Sequence, residues 1–336
     1  MKKFCITALL IPMCINSAEL IFNYAQSILL EQTQLNLDQN HRFARIRQRF
    51  DLADQSPQES IDENKQPGSI YIAPFGNFGA IDTRITQLGN EYTSVGGLIG
   101  GDYAFSRMGF GAQAGYVKFH GSAYEYGNYD QNEVFLGIYG TFLPTSSDNF
   151  YLDLSVAGGY DWYQTDRITP AGYAHGEPDG WNIDAFSEIG YDYHFGHMRL
   201  TPQLALQYAY IDISDYQETD AATANLKVDG RSTNSLRSWL GLSFAGDIVR
   251  NSFKVTPEIR AFWLYEYLDL DLSVQAVTVA NQTTNLSIYG HERNSGVIGA
   301  ELNFESNDWT VTFDYDFFFN NGMYSNMLYG EIGYNF

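Results

Sequence analysis

From Ser69 to Phe336, apolar and polar residues alternate with period two, in segments of about ten residues. In residues 253–265, Phe253, Val255, Pro257, Ile259, Ala261, Trp263 and Tyr265 share one face, and Lys254, Thr256, Glu258 and Arg260 share the other. Residues 309–317 repeat the scheme, with Trp309, Val311, Phe313, Tyr315 and Phe317 against Thr310, Thr312, Asp314 and Asp316. So do residues 198–210, with Met198, Leu200, Pro202, Leu204, Leu206, Tyr208 and Tyr210 against Arg199, Thr201, Gln203 and Gln207. A pleated strand sends successive side chains to opposite faces, so each segment has one greasy and one polar side.

Twelve such segments are predicted, at 69–78, 92–105, 108–118, 132–143, 150–163, 182–195, 198–211, 235–246, 253–266, 293–304, 309–318 and 326–336. The gaps alternate in length. Short ones fall at 106–107, 144–149, 196–197, 247–252 and 305–308. Longer ones fall at 79–91, 119–131, 164–181, 212–234 and 267–292, and a modest one at 319–325. Short turns at one end and long loops at the other are the pattern of an outer-membrane barrel. A soluble sandwich would need a second sheet to cover each apolar face, and none is encoded. Lipid solvates no backbone group, so the strands must close on themselves. The expected fold class is all-β: a twelve-stranded antiparallel transmembrane β-barrel.

The 53 aromatic residues then find places. Phe105, Phe110, Phe142, Phe150, Phe195, Phe244, Phe253, Phe304 and Trp309 bracket the short turns. Tyr116, Trp162, Tyr208, Trp263, Tyr265 and Phe317 fall toward the other end. Amphipathic rings belong at headgroup level, so two girdles are expected. Gly96, Gly100, Gly109, Gly111 and Gly115 lie on the lumen side of the second and third strands, leaving room inside or easing curvature.

Ahead of the strands, residues 1–18 read as a secretory signal. Lys2 and Lys3 form its charged start, Phe4 to Ile15 its apolar run, and Asn16-Ser17-Ala18 its small-residue end. Both cysteines, Cys5 and Cys14, fall inside it, so no disulfide framework is expected. Residues 19–67 form an arm, helical up to about Phe50 and then polar from Gln55 to Gly68, with Pro57 and Pro67. Arg42, Arg45, Arg47 and Arg49 give residues 41–50 a charge of +4, against −20 for residues 68–336. This excludes nucleic acid as a partner of the acidic body. It also suggests a basic helix in an acidic cavity. A helix over 33–50 would be about 27 Å long, near the hydrocarbon thickness. Its arginines are expected to meet lumen carboxylates such as Glu188, Glu258, Glu301, Asp314 and Glu331. With Arg199, Gln203 and Arg260, these carboxylates would set the character of the lumen.

At this point the chain resembles an autotransporter β-domain over roughly residues 37–336. The residues that carry the resemblance are Asn40-His41-Arg42-Phe43-Ala44-Arg45-Ile46-Arg47 before Gly68-Ser69-Ile70-Tyr71, then Leu200-Thr201-Pro202-Gln203 with Gln207-Tyr208. Pro257 with Trp263, Glu266 and Asp269, Gly299-Ala300-Glu301-Leu302, and the closing Tyr329-Gly330-Glu331-Ile332-Gly333-Tyr334-Asn335-Phe336 complete it. The resemblance implies a helix lodged in the pore. It implies that Ile332, Tyr334 and Phe336 are the signal read by the barrel-assembly machinery. It also implies a bacterial outer-membrane location among lipids, with loops free to meet a host or surface ligand. Family members usually carry a passenger of hundreds of residues before the helix; only some 14 to 20 mature residues stand there in this sequence. No Asn-Asn pair occurs in residues 30–67, so self-cleavage is not expected.

Three other readings fit such a barrel: a porin-like channel, a surface adhesin or receptor barrel, and an outer-membrane lipase. A porin-like channel would use the same lumen residues for selectivity, favouring cations. An outer-membrane lipase would need a site such as Ser235 or Ser238 with His291 and Asn234, but their spacing matches no triad, and a triad is a geometry rather than a residue supply. His194 and His197 read as turn residues, not a metal pair. Asp212, Asp215, Glu218 and Asp220 read as an acidic solvated loop. No enzyme activity and no cofactor are expected.

Overall fold

The computed structural model describes residues 28–49 and, from residue 67 onward, all but short stretches at 83–88, 124–125, 145–148, 251–252, 269–271, 279–282, 289–291 and 307. The expected signal at 1–18, the first part of the arm and most of the linker lie outside the described residues, as does His291.

Twelve long strands form the body. They are β1 (Gly68–Ile81), β2 (Asn90–Phe105), β3 (Met108–Ser122), β4 (Gly127–Phe142), β5 (Phe150–Thr169), β6 (Asp179–Tyr191), β7 (Met198–Ile213), β8 (Arg231–Gly246), β9 (Phe253–Glu266), β10 (Asn294–Ser306), β11 (Trp309–Asn320) and β12 (Met323–Asn335). Each pairs antiparallel with its sequence neighbour, and β12 closes on β1. Along that seam Ile72 faces Ile332 and Phe75 faces Tyr329, while Ala73 and Pro74 drop out of the ladder. A proline has no N–H to donate there.

Alternation survives folding with its faces as read. In β7, Met198, Leu204, Leu206 and Tyr208 are exposed, whereas Thr201, Ala205 and Gln207 are buried. The outward set is the lipid face of such a barrel, and the inward set lines a filled lumen. At the turn end, Phe105, Phe110 and Phe142 form a run of ring contacts with centroids 6.3 and 5.4 Å apart. Trp309 meets Tyr334 at 5.1 Å.

Several strands run further than the alternation indicates. The expected long loop at 119–131 is mostly strand, because β3 continues to Ser122 and β4 starts at Gly127. The expected modest loop at 319–325 is a two-residue turn, Asn321-Gly322, with Gly322 at φ +122°. Only glycine adopts that conformation cheaply. The long loops also carry structure of their own. Residues 172–176 fold back on β5. Tyr216–Gln217, Leu226–Val228, Leu272–Thr278 and Thr283–Ile288 pair into a separate four-stranded antiparallel sheet.

The lumen glycines serve close packing of rings. A Cβ on Gly100 would lie 2.4 Å from the Tyr71 ring, and one on Gly111 would lie 2.2 Å from the Tyr139 ring. Each glycine therefore gives its neighbouring strand's aromatic a place to lie flat against the wall.

Candidate functional site: the helix-filled pore

A helix, α1, spans residues 28–49 inside the barrel. It falls within the stretch that the sequence marks as helical, and its described residues span about 33 Å at 1.5 Å per residue. Ile28, Leu29, Leu30, Leu35, Leu37, Phe43 and Ile46 are all buried, on every side of the helix. An amphipathic surface helix would bury one stripe only. Encasement by the barrel explains the difference.

The helix has a defined direction. Its first half lies at the loop end. There Gln32 donates to Asn182 Oδ1 at 3.1 Å, and Asn36 donates to Asp184 Oδ1 at 2.9 Å. Ile28, Leu29 and Leu30 join a cluster with Phe119, Tyr129, Tyr216, Leu226 and Val228. Trp239 is fully buried lower in the same cluster, edge-on to Phe186 and Phe262.

Its second half lies at the turn end and carries the four arginines. Arg42 donates to Glu331 Oε1 at 2.8 Å and to Ser69 Oγ at 2.7 Å, and it also pairs with Asp102. Its guanidinium sits 3.7 Å above the Tyr71 ring. Arg45 pairs with Glu331 and Thr312. Arg47 pairs with Asp153 and sits 3.6 Å above the Tyr151 ring. Arg49 donates to Asp102 Oδ1 at 2.7 Å. Glu331 is thus shared by two arginines, and its other oxygen accepts from the Tyr329 hydroxyl at 2.6 Å. Such pairs hold only when geometry and extra hydrogen bonds offset desolvation, and planar guanidinium forks over aromatic rings supply both.

Of the five carboxylates expected to meet the helix arginines, only Glu331 does so. The other four face the lumen but have different partners. Glu188 accepts from Tyr151, a hydroxyl that also accepts from Gln203 at 3.1 Å. Glu258 accepts from Arg199 at 3.1 Å. Asp314 pairs with Arg260, and Glu301 lies 3.6 Å from the same guanidinium. The wall therefore brings its own cations. Asp102 and Asp153, the partners that sequence reasoning missed, occupy lumen positions of β2 and β5, and the inward parity of their neighbours is the one signal that marks them.

Ile332, Tyr334 and Phe336 all point outward from the last strand, and Phe336 exchanges two backbone hydrogen bonds with Gly68. Ser235 faces inward and donates to Glu266, while Ser238 lies on the outer face beside Tyr267. The two serines cannot serve one site. His194 and His197 are exposed around the turn at Gly196.

Glu218 is not part of a solvated loop. It is buried and holds Arg167, which donates from Nε at 2.8 Å. Arg167 also donates to the Ala224 carbonyl at 2.9 Å, so the loop between β7 and β8 is drawn across the pore mouth. Nearby His175 is held above the ordinary imidazole value by hydrogen bonds to Asp166 and Glu177.

The family model described as Autotransporter beta-domain matches residues 70–316. Comparison with curated protein sequences finds no match. Among solved structures, the fold is similar to the translocator domain of the autotransporter NalP from Neisseria meningitidis. The match has 14% identity over 92% of this chain and 99% of that one, with a TM-score of 0.67. It is similar to the β domain of the Bordetella autotransporter BrkA, at 17% identity over 80% and 100% of the two chains and a TM-score of 0.61. It is also similar to the transport unit of AIDA-I from Escherichia coli, at 16% identity over 86% and 97% and a TM-score of 0.59. At such identities the structures speak for the fold, and the family match speaks for membership. With a closed twelve-stranded barrel and a helix through its pore, this chain belongs to the autotransporter β-domain family.

Proposed function

We propose that this chain sits in the bacterial outer membrane and carries its own N-terminal segment to the cell surface. The observation that supports this reading is the direction of α1. Its N-terminal end lies at the loop end, and its arginine-bearing end lies beside the start of β1. In an outer-membrane barrel the long loops face outward and the short turns face the periplasm. Whatever precedes Ile28 is therefore delivered to the outer mouth, and the helix stays behind as the closure.

In this reading lipid contacts the outward aromatic and aliphatic faces. Ile332, Tyr334 and Phe336 present the terminal strand to the assembly machinery, and the loop sheet is the surface offered to a host or other ligand. The barrel works as a conduit and support, not as an enzyme.

An epitope tag inserted between residues 20 and 26 tests the reading. Antibody is expected to stain the tag on intact cells as strongly as on permeabilised ones. Staining that requires permeabilisation would place the N-terminal segment inside and refute the proposed direction.

A further inference from the structure

On the lumen wall Glu258, Glu301 and Asp314 stand directly opposite one another across β9, β10 and β11. Like charges in facing register repel, so a wall built this way needs cations. Arg199 serves Glu258. Arg260 is shared among Glu301, Asp314 and Asp316. From the helix, Asp38 and His41 face the same region, three residues apart and so on one helix side.

His41 is the telling residue. It is only 6% exposed. Its Nδ1 lies 3.9 Å from Glu301 Oε2, and its Nε2 lies 3.6 Å from Glu331 Oε2. Neither ring nitrogen has a hydrogen-bond partner among the described residues, and neither does Asp314 Oδ1 or Asp38 Oδ2. Other lumen side chains also carry polar atoms without a protein partner, but here such atoms of an imidazole and two carboxylates belong to one region of the wall and helix. One ligand atom each from His41, Glu301 and Asp314 can be chosen so that all three lie within 4.8 Å of one another. Donors bound tetrahedrally at about 2.0 Å stand about 3.3 Å apart, so modest side-chain rotation closes the set.

We propose that His41, Glu301 and Asp314 bind a divalent transition metal of the zinc class, which clips the pore helix to β10 and β11. An imidazole with two carboxylates suits zinc-like ions, while calcium and magnesium prefer all-oxygen shells. The ion also supplies positive charge where facing carboxylates outnumber guanidiniums. His41 and Glu301 also line a small cavity of about 30 Å³ that reaches Gln48, Asp192 and Thr256 toward the turn end.

The test uses the refolded mature chain without an affinity tag, stripped by chelator and titrated with Co²⁺ alone, then with Zn²⁺. One Co²⁺ per chain is expected, with visible ligand-field bands that Zn²⁺ abolishes. His41→Gln and Asp314→Asn are each expected to weaken binding at least about tenfold, by analogy with the loss seen when support around a metal is removed. The double variant His120→Gln/His175→Gln, at histidines outside the pore, is expected to bind as the wild type does. Heat-modifiable mobility on gels checks that each variant is folded. No Co²⁺ bands in the wild type, or equal binding in a folded His41→Gln or Asp314→Asn, overturns the site.

Discussion

Replacing Glu331 with alanine is expected to free the lower half of the pore helix. Glu331 holds two helix arginines, Arg42 and Arg45, on one oxygen, and it is anchored by Tyr329. Without it Arg45 keeps only Thr312, and Arg42 keeps Asp102 and Ser69. Removing one partner from a buried ion pair costs about 3–5 kcal/mol, because the remaining charge stays desolvated. For a helix that can detach from its wall, that is a shift of roughly two to four powers of ten in the docked-to-free ratio. Hydrogen exchange of the amides between Arg42 and Arg49 measures it directly. These amides should exchange at least about a hundredfold faster in Glu331→Ala, while those of β4 and β5 keep their protection. Unchanged exchange in the helix would show that Glu331 does not anchor it.

The second large effect falls on the wall itself. Arg260→Leu leaves Asp314, Asp316 and Glu301 buried with no guanidinium between them. The cost is again about 3–5 kcal/mol, now charged to the barrel rather than to the plug. Urea unfolding in detergent should show a clearly lower midpoint for Arg260→Leu, with Arg260→Lys in between, since a point charge replaces a planar fork. Coincident midpoints would mean that the three carboxylates do not depend on this residue.

The barrel was legible in the sequence because lipid and a filled lumen enforce strict alternation. All twelve strands follow from it, and residues such as Glu188, Arg199, Gln203 and Glu258 fall on the inward side by parity alone. Strand ends were not legible, because beyond the membrane alternation no longer decides which face is wet. The extension of β3 to Ser122 and the two-residue turn at Gly322 belong to that zone. The loop sheet was hidden for another reason. Its strands pair across long separations, as Leu226 with Thr278, and no local pattern encodes such contacts. In the pore, the four arginines announced a basic helix, but not its partners. Pairing depends on the rotation of the helix within the barrel, and that is set by apolar contacts such as Phe43 against Tyr139. Glu218 shows the same limit from outside: its burial depends on Arg167, 51 residues away.

Single-channel recording of the refolded chain, with and without residues 19–67, tests most directly whether the helix closes the pore. A helix with its side chains is about 10–12 Å across, so its removal opens a bore of about that width. The full chain should give small, noisy currents. The shortened chain should give steady steps several-fold larger. Equal conductance from the two would contradict a pore closed by α1.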